Sequence, residues 1–251
     1  MIEALPTEDS IPIKDISQKI TFIYGERKIG KTTFCSQAPD ALFIATEPGQ
    51  SHLHLRKVEV SSWLDFCQVF KLIKDGDHDR KTIVIDTIDN LYRFCFDYVL
   101  KKNDMARGTD ENNTGYKLVN DELFRAINKL SLLPYGLMMI GHSTEKQVKT
   151  RTGKETKIAS ALSSGALKVV AGVADYILYT CVEEITSEEG SITGYQHVIH
   201  TKPTTIYEAG VRLGPDDPDI PDTLPLNYNA FSKALLGEQI TEEDWIFKHS
   251  K

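Results

Sequence analysis

An α/β fold with a mostly parallel central sheet flanked by helices is the architecture this sequence predicts, and three observations carry it. Short, mainly apolar runs precede Gly25, Glu47, Asp86 and Gly141, the composition of strands buried on both faces. Segments with helical spacing of apolar residues separate those runs, and such alternation needs right-handed crossovers and a parallel sheet. Beyond residue 175, β-rich runs follow one another around polar turns, which predicts a hairpin-rich extension of the same sheet.

The chain has 251 residues, 41% hydrophobic and 26% charged, which suits one globular domain with insertions. Its longest uncharged run, Leu130 to Thr144, is short and interrupted by Pro134 and Gly136, so no membrane span is expected. The acidic start, MIEALPTEDS, reads as neither a secretory signal nor a transit peptide, and a cytoplasmic protein is expected. Cys35, Cys67, Cys95 and Cys181 are widely spaced among apolar neighbours and read as reduced core residues, not zinc ligands or disulfides. His52 and His54 lack further partners for a metal. A net charge of −7 excludes a protein that coats nucleic acid with its whole surface, yet charge is segregated along the chain. Glu145 to Lys157 holds five basic residues against two acidic ones, and Pro215 to Lys251 eight acidic against three lysines.

Three segments are expected: 1–19 over the sheet edge or mobile, a core over 20–214, and an acidic, proline-containing 215–251 packed on the core. The first strand is Ile20 to Tyr24, followed by a glycine-bounded loop and a helix opening at Lys31 and broken by Pro39. Ala41 to Thr46 is a second buried strand, and Val58 to Val60 a short further one. Ser62 and Asp65 resemble a capping pair for a helix through Trp63, Phe66, Phe70 and Ile73. Thr82 to Ile85 is a strand closed by Asp86, and a helix is expected over Asn90 to Leu100, with Asp89 as its cap. Lys101 to Gly115 is a long polar connector; helical spacing returns at Leu118, Leu123, Ile127 and Leu130. Gly136 to Ile140 is a strand ending at Gly141 and His142, and Lys146 to Lys157 a projecting hairpin. A helix over Ala161 to Ala174, strands at Tyr176–Val182, Tyr195–His200 and Thr205–Tyr207, and a short helix Tyr228–Leu236 complete the prediction. Pro215, Pro218, Pro221 and Pro225 exclude helix or central strand between them.

Gly25, Glu26, Arg27, Lys28, Ile29, Gly30, Lys31 and Thr32 spell G-x-x-x-x-G-K-T, a phosphate-binding loop, and Thr33 continues it. Its glycines let successive backbone N–H groups turn around an anion. Lys31 is placed to reach the β- and γ-phosphates of a nucleotide and Thr32 to ligate Mg²⁺; ATP and Mg²⁺ are the expected cofactors. In parallel sheets ligands sit at the carboxyl ends of strands, and Gly25, Glu47, Asp86 and His142 all follow such ends. Asp86 reads as the acid behind Mg²⁺, against a strand-end or capping carboxylate. Glu47 reads as the base for the attacking water, against the start of a turn with Pro48 and Gly49. His142 reads as a γ-phosphate sensor, against a strand-end histidine.

The order FIYGERKIGKTTF, FIATEPG, IVIDTIDNL, MMIGHSTEK resembles the phage nucleotide-binding AAA family, RecA-fold ATPases that include single-strand annealing and recombination proteins. The resemblance covers residues 15 to 215 and implies a RecA-like fold. It implies Lys31 and Thr32 for phosphate and Mg²⁺, Asp86 as the Walker B acid, Glu47 as the activating glutamate and His142 as the switch. It also implies a DNA-contacting loop after His142, a place held here by Lys146, Lys149, Arg151, Lys154 and Lys157, which composition alone reads as a solvated hairpin; Lys101, Lys102, Arg107, Tyr116 and Lys117 offer further charge and one aromatic. The family's late Lys-x-Arg pair is incomplete: the stretch is Gly210-Val211-Arg212, which leaves Arg212 either as an arginine finger supplied in trans or as a surface arginine.

The resulting expectation is an ATP-hydrolysing, Mg²⁺-dependent protein acting on single-stranded DNA in phage recombination or annealing. It would be homo-oligomeric and sit in the host cytoplasm. Two rivals share the loop: a P-loop kinase of a small molecule, and a nucleotide-gated scaffold without a DNA role.

Overall fold

The computed structural model describes residues 13, 15–76, 78–106, 114–150, 153–187 and 190–245, with positions 149 and 150 as backbone alone. In chain order the regular elements are β1 (Ile20–Gly25), α1 (Lys31–Ser36), β2 (Ala41–Ala45), β3 (Arg56–Glu59), α2 (Trp63–Asp75), β4 (Thr82–Asp86), α3 (Ile88–Lys102) and α4 (Thr114–Ser131). They continue as β5 (Gly136–Thr150), β6 (Gly153–Ser160), α5 (Ser164–Val173), β7 (Tyr176–Thr186), β8 (Ile192–His200), β9 (Gly210–Val211), β10 (Thr223–Pro225) and α6 (Tyr228–Leu235).

All ten strands join one sheet in the order β10-β8-β7-β1-β5-β4-β2-β3, with β6 paired to β5 and β9 to β7. The run from β7 to β3 is parallel, and β8, β10, β6 and β9 add antiparallel pairs. In this order β5 lies between β1 and β4, which brings the ends of all three strands to one edge of the sheet.

The two-residue period of the strands sorts their side chains onto two cores. Phe22, Tyr24, Ile83, Ile85, Leu137 and Met139 face a layer containing α2, α3, α4 and α5. Ile23, Val84, Met138 and Ile140 face the other, where Phe34 of α1 and Phe231 of α6 pack. Ser62 caps α2 by accepting from the Asp65 amide at 3.2 Å, as the sequence suggests, while the Asp65 carboxylate reaches one residue further back and accepts from the Ser61 amide at 3.0 Å.

Several boundaries differ from the sequence expectation. The strand begun at Gly136 does not end at His142 but runs on to Thr150, because polar residues continue it as one arm of the β5–β6 ribbon outside the core. Asp89 is not a helix cap: Thr87 holds that position and Asp89 lies in the first turn of α3, where a tertiary partner takes its carboxylate. Thr205–Tyr207 forms only an isolated bridge, Tyr207 to Ile158, and the paired strands are β9 and β10 instead. Pro225 is accommodated because β10 is at the sheet edge. Of the cysteines, Cys35 and Cys95 are buried and Cys181 partly so, but Cys67 is exposed on α2. Among the described residues no helix is long and apolar enough to cross a membrane.

Candidate functional site

The parallel register brings four strand ends together. Gly25 pairs with His142 on one side and Thr180 on the other, Asp86 pairs with Ile140, and Ala45 pairs with Asp86. Glycine is required at position 25 because a Cβ there would lie 2.2 Å from the Thr180 carbonyl oxygen. Beyond it the loop turns through left-handed conformations at Lys28 (φ 63°) and Gly30 (φ 112°) before α1 begins. His197 of β8 steadies the loop, its Nδ1 2.7 Å from the Ile29 carbonyl.

Lys31 is buried, and its Nζ donates to the carbonyls of Gly25, at 2.9 Å, and of Glu26. Burial pushes its ammonium down to about 8, an effect opposed by the nearby carboxylates of Asp86, Asp89 and Glu47. The side chain therefore rests on loop carbonyls, within reach of the space that phosphates would fill.

Asp86 is buried at the end of β4, and its Oδ2 accepts from the Thr32 hydroxyl and from Nε2 of Gln50, both at 3.0 Å. Thr46 ties the neighbouring strand end to it: the Thr46 amide donates to the Asp86 carbonyl at 2.8 Å, and its hydroxyl oxygen accepts from the Thr87 amide at 2.7 Å. That brace sets Glu47 beside Asp86. Glu47 Oε2 accepts from Asn90 Nδ2 at 2.9 Å, and its Oε1 lies 4.0 Å from Nε2 of His142.

His142 is held from the other side by Asp89, whose Oδ2 accepts the His142 backbone N–H at 2.7 Å and lies 3.0 Å from Nδ1. A carboxylate only accepts, so Nδ1 carries the proton and Nε2 faces Glu47. Lys31, Thr32, Thr33, Glu47, Asp86 and His142 line one cleft of about 590 Å³ with Arg27, Lys28 and Gly30.

The donor set fits a Mg²⁺ nucleotide. Mg²⁺ takes oxygen ligands and is held by one or two protein groups plus phosphates, and Thr32 with Asp86 supplies such a pair. Two further oxygens in the same cleft, Oε1 of Gln50 and Oγ1 of Thr87, are buried without a hydrogen-bond partner, so the cleft holds more polar capacity than the protein itself satisfies.

Arg212 stands apart from this group. It follows β9, pairs with Asp175 at 3.3 Å, and its backbone N–H donates to the Asp175 carbonyl. Asp175 precedes β7, so Arg212 occupies the end of the sheet opposite the loop, with its side chain 66% exposed. Of the basic residues after His142, Lys146 and Lys154 are exposed on the β5–β6 ribbon and Lys157 is half-buried. Arg151, Arg107 and the side chain of Lys149 lie outside the described residues. The ribbon register sets Lys146 opposite Lys157 and Lys149 opposite Lys154.

The site contacts of Gln50, Asn90 and His197, and the pairing of Asp89 with His142, are not expected from the sequence. Asp86, Asp89 and Asn90 are spaced so that a helix starting just after the strand returns the last two to the same sheet edge, a usable signal. His197 arrives from a remote antiparallel strand, and no local pattern announces it.

With the geometry in place, comparison with known proteins adds the family. No curated protein matches the chain. A family model described as an AAA domain, AAA_24, matches residues 17–213, from just before β1 to just beyond β9. A match over most of the chain, on a sheet that carries the phosphate loop between β1 and α1, places this protein in the AAA_24 family of AAA domains, as a P-loop nucleotide-binding protein of AAA type.

Proposed function

We propose that this protein is a RecA-like, Mg²⁺-dependent ATPase that couples nucleotide state to single-stranded DNA in phage recombination or strand annealing. One observation carries the coupling: the strand that bears His142 at the cleft runs without interruption to Thr150 as the first arm of the basic ribbon. A shift of His142 on gain or loss of a γ-phosphate is thereby a shift of the ribbon's root.

In this reading Lys31 neutralises the β- and γ-phosphates, while Thr32 and Asp86 hold Mg²⁺, which when bound would offset charge on the transferred phosphoryl group. Glu47, fixed by Asn90, orients and deprotonates the attacking water, and His142 hydrogen-bonds beside it. Arg212 cannot reach its own cleft from the opposite sheet end; as a finger it would serve a neighbouring copy, which makes the active form a homo-oligomer.

Two features favour a polyanion with bases. Like charges directly across a ribbon destabilise it, and a phosphate backbone would relieve the opposition of Lys146 and Lys157. At the foot of the ribbon a second cavity, of about 360 Å³, is lined by Tyr92, Phe96 and Tyr116 with Arg93, the stacking groups a single strand uses. Asp89 lines that cavity as well as holding His142. The core over 20–214 is proposed as the catalytic unit. The acidic 215–251 segment is proposed as its packed appendage: within it, Tyr228 and Phe231 lie against Phe34 of α1.

Phosphate release measured with and without single-stranded DNA at low ionic strength tests the reading. Stimulation by DNA supports it; turnover unchanged by DNA, with no salt-sensitive binding, defeats it in favour of a nucleotide-gated scaffold.

A further inference from the structure

Away from the nucleotide cleft, one cluster combines the three donor types of a zinc site. We propose that Cys181, Glu183 and His200 bind a divalent cation of the Zn²⁺ class, at a site separate from the Thr32–Asp86 pair. Their ligand atoms all lie within 4.8 Å of one another, with Nε2 of His200 3.3 Å from the Cys181 sulfur and 3.2 Å from Oε1 of Glu183. A tetrahedron built on metal–ligand bonds of about 2.0–2.3 Å has edges of about 3.3–3.8 Å. The donors thus already stand at roughly the separations a tetrahedral ion imposes.

The fold explains why they converge. Cys181 and Glu183 are two apart on β7 and share a face of the sheet, and His200 projects from the adjacent β8, where it pairs with Tyr179. Nδ1 of His200 is 3.3 Å from the Thr223 hydroxyl on β10, a partner able to donate or accept that holds the ring with Nε2 turned to the cluster. The ring is clamped by Tyr179, stacked on it at 5.6 Å, and by Tyr207 at 4.7 Å.

Nε2 of His200 cannot serve both of its neighbours through hydrogen bonds, and the other side-chain partner of the Cys181 sulfur is the Tyr179 hydroxyl. If Nε2 accepts the thiol proton, its lone pair is committed while a carboxylate oxygen faces it at 3.2 Å; if Nε2 donates to Glu183, the thiol has no acceptor on the ring. A cation satisfies all three at once. Thiolate, imidazole and one carboxylate select Zn²⁺ or a similar borderline ion over Mg²⁺, and three protein ligands leave a fourth position for water. Because Thr180, the residue before Cys181, pairs with Gly25, the ion would brace β7 against β8 directly beside the phosphate loop.

Co²⁺ serves as the probe, titrated into metal-stripped full-length protein without nucleotide. The expected result is one equivalent bound, a thiolate-to-cobalt charge-transfer band with tetrahedral d–d absorption, displacement by Zn²⁺, and no displacement by millimolar Mg²⁺. Cys181→Ser should abolish the charge-transfer band, and Glu183→Gln should weaken Co²⁺ binding at least tenfold while leaving the band. Absence of the band in the natural protein overturns the proposal whatever the variants do, as does a band that survives Cys181→Ser.

Discussion

One oxygen of Asp89, Oδ2, receives both the backbone N–H of His142 at 2.7 Å and its Nδ1 at 3.0 Å. The carboxylate fixes the ring and the strand together, so the histidine cannot turn without moving the root of the ribbon or breaking a charge-assisted bond. Asp89→Asn keeps the size but replaces the double acceptor with a neutral amide. ATP affinity should stay within about threefold, whereas stimulation of phosphate release by single-stranded DNA should be largely lost. Equal stimulation in variant and natural protein would show that the pair carries no signal.

Glu47 is held by Asn90 at 2.9 Å within the cleft that Lys31 and Asp86 line. Glu47→Gln should bind ATP normally and hydrolyse it about 10²- to 10⁴-fold more slowly, the usual weight of a general base. Single-turnover phosphate release checks this, and retained turnover would place the base elsewhere.

Lys31 gives a pH dependence with a defined sign. In the free protein burial holds its ammonium at about 8, below the ordinary lysine value of 10.5. Phosphate requires the cation, so above pH 8 nucleotide binding must take up a proton, and affinity falls by up to about tenfold per pH unit. Below pH 8 the lysine is already charged and this contribution vanishes. Calorimetry in two buffers of different ionisation enthalpy should show lysine-linked proton uptake at pH 9 but not at pH 7, and Lys31→Ala should lose binding altogether.

Gly25→Ala would force a methyl group against the Thr180 carbonyl between two central parallel strands. The expected destabilisation is about 1–3 kcal/mol, read as a melting temperature lower by several degrees. An unchanged melting temperature would mean that β1 and β7 are less tightly apposed than the structure shows.

Much of this site is local in sequence, which is why it was legible there. The phosphate loop is contiguous, and Glu47 and Asp86 each close an apolar run whose buried character is visible in composition. What escaped depends on tertiary register. Whether the strand stops at His142 or continues is decided by β6, the partner that pairs with its polar half, not by hydrophobicity. Likewise Asp89 looks like a cap until β5 is placed beside β4 and offers a backbone N–H to it. The cysteines looked uniformly structural because Cys181 meets His200 only across a hairpin, 19 positions later.

On the ribbon, Lys146 and Lys154 are exposed, and each should contribute one counterion to release from bound single strands. Replacing both with alanine should reduce the slope of log affinity against log salt by about 1.4. An unchanged slope would remove the ribbon from the DNA path.

The coupling itself is measured most directly by the affinity of the full-length protein for a fluorescent single-stranded oligonucleotide. Anisotropy is read at fixed salt, once with Mg²⁺ and a non-hydrolysable ATP analogue and once with Mg²⁺ and ADP. If the γ-phosphate is sensed at His142 and passed along β5, the affinities should differ by about 5- to 150-fold, and Asp89→Asn should bring them together. Equal affinity in the two nucleotide states would contradict that connection between cleft and ribbon.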